Sequence, residues 1–293
     1  MFAIAVFFDV IPSSVLSLLG YSASHIRSIL YDPVIMQIRQ IVFSFTVFFL
    51  PFILVFKLFG FKLSQLIEAK KPKEKTFLHL FLVGISFCSF SNLAVGYAGN
   101  IFESFGIDYN VNFGDRPSGI FGFLLVFISS AVMPALAEEF ACRGLVMGSL
   151  RRFGEGFAIL ASAILFGIMH GNFEQIPFAF LVGLAVGFAA VKSQSIWTAV
   201  AIHSFNNFVS VFFSVALAKM PPNINNLLYC IYLIVSLLCG ILGLLMLSKK
   251  ENAFSFEGIK TRTTKKQKYS WYFLSVPIII FCAINLIEAC SFF

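Results

Sequence analysis

Long apolar runs separated by short polar gaps dominate the chain. Eight such runs fall at about 41–59, 76–98, 118–149, 156–171, 175–191, 195–218, 224–247 and 271–292. Most of them approach the roughly 20 apolar residues that an α-helix needs to cross a bilayer. The pattern therefore predicts an all-α, polytopic membrane helical bundle of about eight transmembrane helices, or about nine if the weaker apolar stretch 1–19 also crosses.

The rest of the chain indicates a single membrane domain over residues 1–293. Residues 20–40 are more polar and predict a loop with an amphipathic helix. Residues 1–19 lack a basic start and a small-residue cleavage site, so we expect no cleaved signal peptide there. Gly183 and Gly187 form a GxxxG pair, a spacing that favours close packing between membrane helices.

Basic residues concentrate in four of the gaps. The gap 57–75 contains six lysines, the gap 248–270 contains six lysines and one arginine, and shorter gaps carry Arg151, Arg152 and Lys192. Alternating spans put these four gaps on one side, and an excess of Lys and Arg marks the cytoplasmic side. We therefore expect an integral, multi-pass membrane protein with its C-terminus outside.

Composition and charge narrow the class of protein further. The chain is 59% hydrophobic and 12% charged, which excludes an ordinary soluble domain. The formal net charge of +7 would suit nucleic acid. However, the charges lie in loops beside the membrane, so we expect contact with anionic lipid and no nucleic-acid partner. The six cysteines show no CxxC or metal-ligand spacing.

Two adjacent acids lie within the third apolar run. A charged side chain near the bilayer centre costs a few kcal/mol, so such groups are usually functional. Glu139 lies four residues before Arg143, so both share a helix face and can pair. Glu138 is rotated from Glu139 by about 100°. We predict that Arg143 neutralises Glu139 while Glu138 points elsewhere; the alternative is a structural ion-pair network that uses both acids. Pro134, one turn earlier, is expected to bend this helix.

Two histidines follow in later runs. His170 ends an apolar run, and imidazole is well suited to proton transfer near neutral pH, although a lone histidine is also common as a satisfied core residue. His203 and Asn207 are four residues apart and share a helix face. Both side chains donate hydrogen bonds without a fixed negative charge, which suits the stabilisation of an oxyanion.

Three motifs in this central part resemble those of a known family. They are Glu138-Glu139-xxx-Arg143, Phe166-xxx-His170 and His203-xxx-Asn207. Their order and spacing resemble the CPBP family, the CAAX-processing and bacteriocin-processing membrane proteases, also called the Abi family, which includes the type II CAAX prenyl endopeptidases. The resemblance covers residues 118–218, the expected catalytic core.

The resemblance implies an intramembrane endopeptidase that hydrolyses a peptide bond near the cytosolic membrane face. Glu138 matches the family's glutamate that activates water, with the help of the histidine matched by His170. His203 and Asn207 match the pair that forms the family's oxyanion hole. The implied substrate is a membrane-associated peptide or protein, reached from the cytoplasmic side of a bacterial or archaeal cell membrane.

The remaining motif residues match positions that brace the family's site. These are Glu139, Arg143 and Phe166. The mechanism implied by the resemblance needs no covalent acyl-enzyme, no cofactor and no metal.

Several alternatives stay open at this point. Two histidines and two acids could bind zinc, although the chain has no HExxH and Arg143 lies one turn from Glu139. Cys142 shares a helix face with Glu138 and could act as a nucleophile, although no base is evident beside it. The protein could also be a catalytically idle immunity or scaffold protein, or a transporter with a proton relay, although the paired repeats of such transporters are not evident.

Overall fold

The computed structural model describes residues 10–59, 71–104, 116–173, 175–251, 253–256 and 263–290, and within these ranges every regular element is a helix. The all-α prediction is therefore confirmed. In chain order the helices are α1 (Ile11–Leu18), α2 (Ala23–Leu30), α3 (33–59), α4 (Glu74–Ser104), α5 (Gly119–Phe153), α6 (Glu155–Ile168), α7 (Gln175–Ser193), α8 (Ile196–Ala216), α9 (Pro222–Ser248), α10 (Lys265–Phe273) and α11 (Val276–Cys290).

The eight predicted apolar runs are all helical, but they differ in their ability to cross a bilayer. Helices α3, α4, α5, α7, α8 and α9 are long and apolar enough to do so, and α10 with α11 forms a seventh candidate bent by 60°. Helix α6 is apolar but has only 14 residues, or about 21 Å. The prediction of a multi-pass membrane bundle is confirmed. A ninth span over 1–19 stays a prediction, because residues 1–9 lie outside the described ranges.

The first membrane helix begins earlier than the expected residue 41. Helix α3 starts at Pro33, and the Asp32 carboxylate accepts two backbone N–H groups of its first turn, at 2.9 and 3.1 Å. Asp at the N-cap and Pro in the first turn both favour a helix start. Arg39 lies inside this helix, and its guanidinium donates to the Leu30 carbonyl at 2.8 Å. The loop predicted over 20–40 therefore ends at Asp32. The amphipathic helix expected within it corresponds to α2.

The short helix α6 lies in the core of the bundle. Ten of its 14 residues are buried. A Cβ on Gly183 of α7 would lie 3.0 Å from the Cα of Ala163 in α6, and one on Gly187 would lie 3.2 Å from Ile159. The close packing predicted from the GxxxG pair is therefore present, and a larger residue at either position would push α6 and α7 apart.

Helix α5 changes its winding on both sides of the acid pair. It is π-helical over Ile128–Val132 and Phe140–Met147, and α-helical over Met133–Glu139 between them. Pro134 has no backbone N–H, so the carbonyl four residues before it, that of Ser130, loses its α-helical donor. Wide turns of this kind recur at functional sites. At the position where a bend was expected, the structure has a π-helical turn just before Pro134.

Candidate active site

Glu139 and Arg143 form a buried ion pair within α5, as their spacing predicted. The guanidinium Nη1 lies 3.1 Å from Glu139 Oε1, and the two side chains are 1% and 0% exposed. The same Oε1 lies 2.8 Å from Nδ1 of His203 in α8. Arg143 Nη2 donates to the carbonyl of Gly183 in α7 at 3.1 Å. Helices α5, α7 and α8 therefore converge on one carboxylate.

Gly183 is a member of this cluster that the sequence did not assign to the site. A Cβ at this position would lie 3.2 Å from Arg143 Nη2, so the absence of a side chain lets the guanidinium reach the carbonyl. The signal in the sequence was the GxxxG pair, which indicated helix packing only. Gly183 therefore allows both the close packing against Ala163 and the bond from Arg143.

The ring of Phe166 in α6 connects the charged pair to the two histidines. The Arg143 guanidinium carbon lies 4.3 Å from the ring centroid. The His170 and His203 rings meet it edge to face, at centroid distances of 5.1 and 5.6 Å. Such cation–π and edge-to-face contacts are favourable and directional. The phenylalanine of the second motif thus braces three functional side chains.

His170 follows the end of α6 and has a fixed ring orientation. Its Nδ1 lies 2.8 Å from the backbone carbonyl of Phe166. A carbonyl only accepts hydrogen bonds, so Nδ1 carries the proton, and Nε2 of the neutral ring keeps its lone pair. This is the tautomer that a proton-accepting role at Nε2 requires.

Glu138 points away from the ion pair and toward His203. Its Oε2 lies 3.9 Å from His203 Nε2, and its side chain is 13% exposed. Among the described residues this buried Oε2 has no hydrogen-bond partner. A distance of 3.9 Å is too long for a direct hydrogen bond. The two acids therefore differ in their contacts, as predicted.

His203 lies between the two acids and is also fixed as one tautomer. Because a carboxylate accepts hydrogen bonds, His203 Nδ1 is the donor in its contact with Glu139. The ring nitrogen that faces Glu138 is then Nε2. This atom accepts a hydrogen bond when the ring is neutral and donates one when the ring is an imidazolium. The contact with Glu139 was not foreseen from the sequence.

Asn207 lies on the same face of α8 as His203, but it contacts a different part of α5. Its Nδ2 donates to the Ser130 carbonyl at 3.3 Å, the carbonyl that Pro134 leaves without a helical donor. Ser130 precedes Glu138 by about two turns. In the described part of the chain, no hydrogen bond joins Asn207 to either acid. The structure thus gathers the other motif residues into one cluster and places Asn207 beside it.

Two of the alternatives, a cysteine nucleophile and a zinc site, depend on what surrounds Cys142 and on how the acids and histidines are arranged. Cys142 is buried, and its sulfur lies 3.9 Å from the Met169 sulfur. A thioether is not a base and would not activate a thiol. Within the described ranges, no group of three or more His, Cys, Asp or Glu side chains is arranged to hold a metal ion.

Comparison with known proteins covers the same central segment. A family model described as "Type II CAAX prenyl endopeptidase Rce1-like" matches residues 120–209. The chain is 30% identical over 90 residues to "Putative membrane peptidase YdiL" of Bacillus subtilis (strain 168), an alignment that spans 30% of this chain and 36% of that relative. No solved structure matches the chain. Residues 120–209 contain all three motifs and leave α3, α4, α9, α10 and α11 outside.

Proposed function

We propose that this multi-pass membrane protein belongs to the CPBP family and is an intramembrane endopeptidase. Its substrate is a membrane-associated peptide or protein, cleaved near the cytosolic face. The observation that carries the proposal is the unsatisfied hydrogen-bonding capacity of the Glu138 carboxylate. Its Oε2 is buried without a hydrogen-bond partner among the described residues, 3.9 Å from His203 Nε2. A carboxylate in that state is suited to hold and deprotonate water.

The first step is attack by water on the carbonyl carbon of the scissile bond. Glu138 accepts one water proton as the oxygen bonds to the carbonyl carbon, and the carbonyl oxygen takes the negative charge. His170, with its lone pair at Nε2, helps to orient the water. A positioned base of this kind contributes roughly 10²- to 10⁴-fold to rate. The proton on Glu138 then passes to the leaving amine as the carbon–nitrogen bond breaks.

The second requirement is a donor for the developing oxyanion. His203 Nδ1 already donates to Glu139, so its Nε2 donates only when the ring is an imidazolium. The cluster accommodates that charge, because two carboxylates and one guanidinium leave one unit of negative charge for the imidazolium to balance. Asn207 has two amide N–H groups and gives one to Ser130, so the second is available for the oxyanion.

The proposed chemistry uses this chain's own side chains throughout. It forms no acyl-enzyme, so Cys142 has no part in it, and it needs neither a cofactor nor a metal. Zinc remains the competing explanation, and the two are separated by activity after exhaustive chelation. Activity that survives chelation supports the glutamate-dependent reaction, and activity that returns only with zinc contradicts it.

We also propose that the basic gaps contact anionic lipid on the cytoplasmic side. Several described basic residues lie at the end of α9 or in the first turns of α10. They are Lys249, Lys250, Lys265, Lys266 and Lys268. Two of them also hold the protein together, since Lys250 donates to Thr76 and Lys268 donates to the Phe153 carbonyl. A lysine near an anionic surface contributes about 1 kcal/mol to lipid contact.

The test of the proposed function is Glu138→Gln in purified protein, reconstituted in anionic vesicles. The probe is an internally quenched peptide ending in a farnesylated CAAX sequence. In a second measurement, mass spectrometry compares the peptides of membranes that contain the wild type with those of membranes that contain the variant. We expect wild-type cleavage and at least a hundredfold loss in the variant, because an amide cannot accept the water proton.

Glu155→Gln is the matched control. It removes another carboxylate, which pairs with Arg151 at 3.2 Å outside the cluster, and it should leave cleavage intact. Equal cleavage by wild type and Glu138→Gln would contradict the proposal. Absence of any peptide that depends on Glu138 would favour an idle scaffold or immunity protein.

A further inference from the structure

A neutral hydrogen bond deep in the bundle joins α3 to α5. The Ser129 hydroxyl donates to Gln37 Oε1 at 2.6 Å. Ser129 is 0% exposed and Gln37 is 6% exposed. Helix α3 lies outside the segment that matches the family model. Because an amide buried among apolar side chains has no water to exchange with, such a bond holds its two helices in one arrangement.

Ser129 lies in the first π-helical turn of α5, where the helix is also tied to α8. The next residue, Ser130, accepts the Asn207 amide through its carbonyl. Two consecutive residues of α5 therefore fix it to α3 on one side and to α8 on the other. Pro134 offers no backbone N–H to this part of α5, so these side-chain contacts add to the π-helical bonds over Ile128–Val132.

Helix α3 also contacts α5 just after the acid pair. The rings of Phe49 and Phe52 lie 5.9 and 6.2 Å from the ring of Phe140, measured between centroids. Phe140 follows Glu139 directly and begins the second π-helical turn. Contacts with α3 therefore lie on both sides of the acid pair, one polar and one aromatic.

We propose that Gln37 is a positioning residue for Glu138, acting through Ser129. The proposal rests on the peptidase function proposed above. The bond from Gln37 selects the π-helical winding over Ile128–Val132, and this winding sets the rotation and height of Glu138 relative to His203. Since a misplacement of about 1 Å can cost about a hundredfold in rate, the bond controls turnover without touching the substrate.

The experiment compares Gln37→Leu, Ser129→Ala and the double variant in the reconstituted full chain, with the quenched farnesylated peptide as probe. In Gln37→Leu we expect kcat to fall ten- to a hundredfold while KM stays within twofold. In Gln37→Leu the Ser129 hydroxyl keeps its weaker bond to the Val126 carbonyl at 3.2 Å. The double variant removes that hydroxyl, so its melting temperature should recover in part. Its kcat should stay low, because the winding of α5 is still not selected.

Tyr232→Phe is the matched control. The Tyr232 hydroxyl makes a bond of the same 2.6 Å length with Ser89, between α4 and α9. This variant should lose melting temperature and keep kcat. An unchanged kcat in Gln37→Leu, or a kcat that recovers together with the melting temperature in the double variant, would overturn the proposal.

Amide hydrogen exchange tests the same proposal without any substrate. Gln37→Leu should accelerate exchange over 128–139, and Tyr232→Phe should not. If wild type cleaves nothing, the proposed peptidase function fails, yet the exchange comparison still decides whether Gln37 fixes the winding of α5. Unaltered exchange over 128–139 in Gln37→Leu would overturn the positioning role whatever the activity.

Discussion

Two of the polar networks between the described helices of this membrane bundle differ in how completely they are satisfied. Between α4 and α9, Ser89 bonds to the Tyr232 hydroxyl at 2.6 Å and accepts from Ser236 at 3.2 Å. Between α5 and α8, the network is charged. There, three buried atoms have no hydrogen-bond partner among the described residues, namely Glu138 Oε2, Glu139 Oε2 and Arg143 Nε.

The difference suits a structural role for the first network and the proposed catalytic role for the second. Hydroxyl groups that hydrogen-bond to one another hold two helices together at little cost in stability. Buried charged groups whose hydrogen-bonding atoms lack partners reduce stability. Such groups are kept where the chemistry needs them. Burial of polar groups alone therefore does not distinguish the candidate site from the rest of the bundle. What distinguishes it is the Glu138 carboxylate, which lies 3.9 Å from His203 and has one buried oxygen without a hydrogen-bond partner among the described residues.

Removing one hydrogen-bonding partner from each network should give the largest difference in stability between two variants. Arg143→Leu leaves the Glu139 carboxylate buried without its cation, and breaking a buried pair in this way costs about 3–5 kcal/mol. Tyr232→Phe removes one neutral hydrogen bond, worth about 1 kcal/mol. We expect Arg143→Leu to lose most of its membrane accumulation and Tyr232→Phe to accumulate normally, measured by quantitative immunoblotting and thermal melting.

Arg143→Lys sharpens this comparison, because it keeps the charge and loses the forked geometry. Lysine cannot bond the Glu139 carboxylate and the Gly183 carbonyl in the same arrangement as arginine. It should therefore recover accumulation in part and activity less. Normal accumulation of Arg143→Leu would contradict the view that the ion pair is the main electrostatic support of the cluster.

The sequence predicted the parts of the charged network that depend on local spacing. Glu139 and Arg143 pair as i,i+4 residues on one helix, and the division between Glu138 and Glu139 follows from the 100° step of the helix. The contact between His203 and Glu139 joins residues 64 positions apart. Its existence depends on how α5 and α8 pack, and no spacing within one helix encodes that.

The same limit explains the other differences between expectation and structure. Asn207 shares a face with His203, as its spacing predicted, but its partner is a carbonyl freed by Pro134 on another helix. The charged residues of 20–40 placed the start of the predicted first span at residue 41, whereas α3 begins at Pro33 and includes Gln37. Its bond to Ser129 across 92 positions is what makes its burial possible.

A methyl group added to a glycine in each region tests whether close helix packing serves activity or stability. In Gly183→Ala the new Cβ would lie 3.0 Å from Ala163 and 3.2 Å from Arg143 Nη2. In Gly243→Ala it would lie 2.9 Å from the His79 carbonyl, between α9 and α4. Overpacking of this kind costs about 1–3 kcal/mol. We expect similar losses of melting temperature in both variants.

Activity should separate the two glycine variants. Gly183→Ala displaces the guanidinium that holds Glu139, so kcat should fall at least tenfold, measured with the quenched farnesylated peptide at a temperature where both variants are folded. Gly243→Ala should stay within threefold of wild type. Equal kcat values in the two variants would mean that Gly183 acts through packing alone.

Two buried cysteines, one in each region, provide the comparison with the smallest expected effect. Cys142 of α5 contacts the Met169 sulfur, and Cys88 of α4 is fully buried. Since the proposed reaction uses no thiol, Cys142→Ala and Cys88→Ala should each leave kcat within about twofold. Each should lower the melting temperature slightly through the lost packing. Loss of cleavage in Cys142→Ala at normal stability, with Cys88→Ala still active, would instead make the thiol the nucleophile and remove Glu138 from the first step.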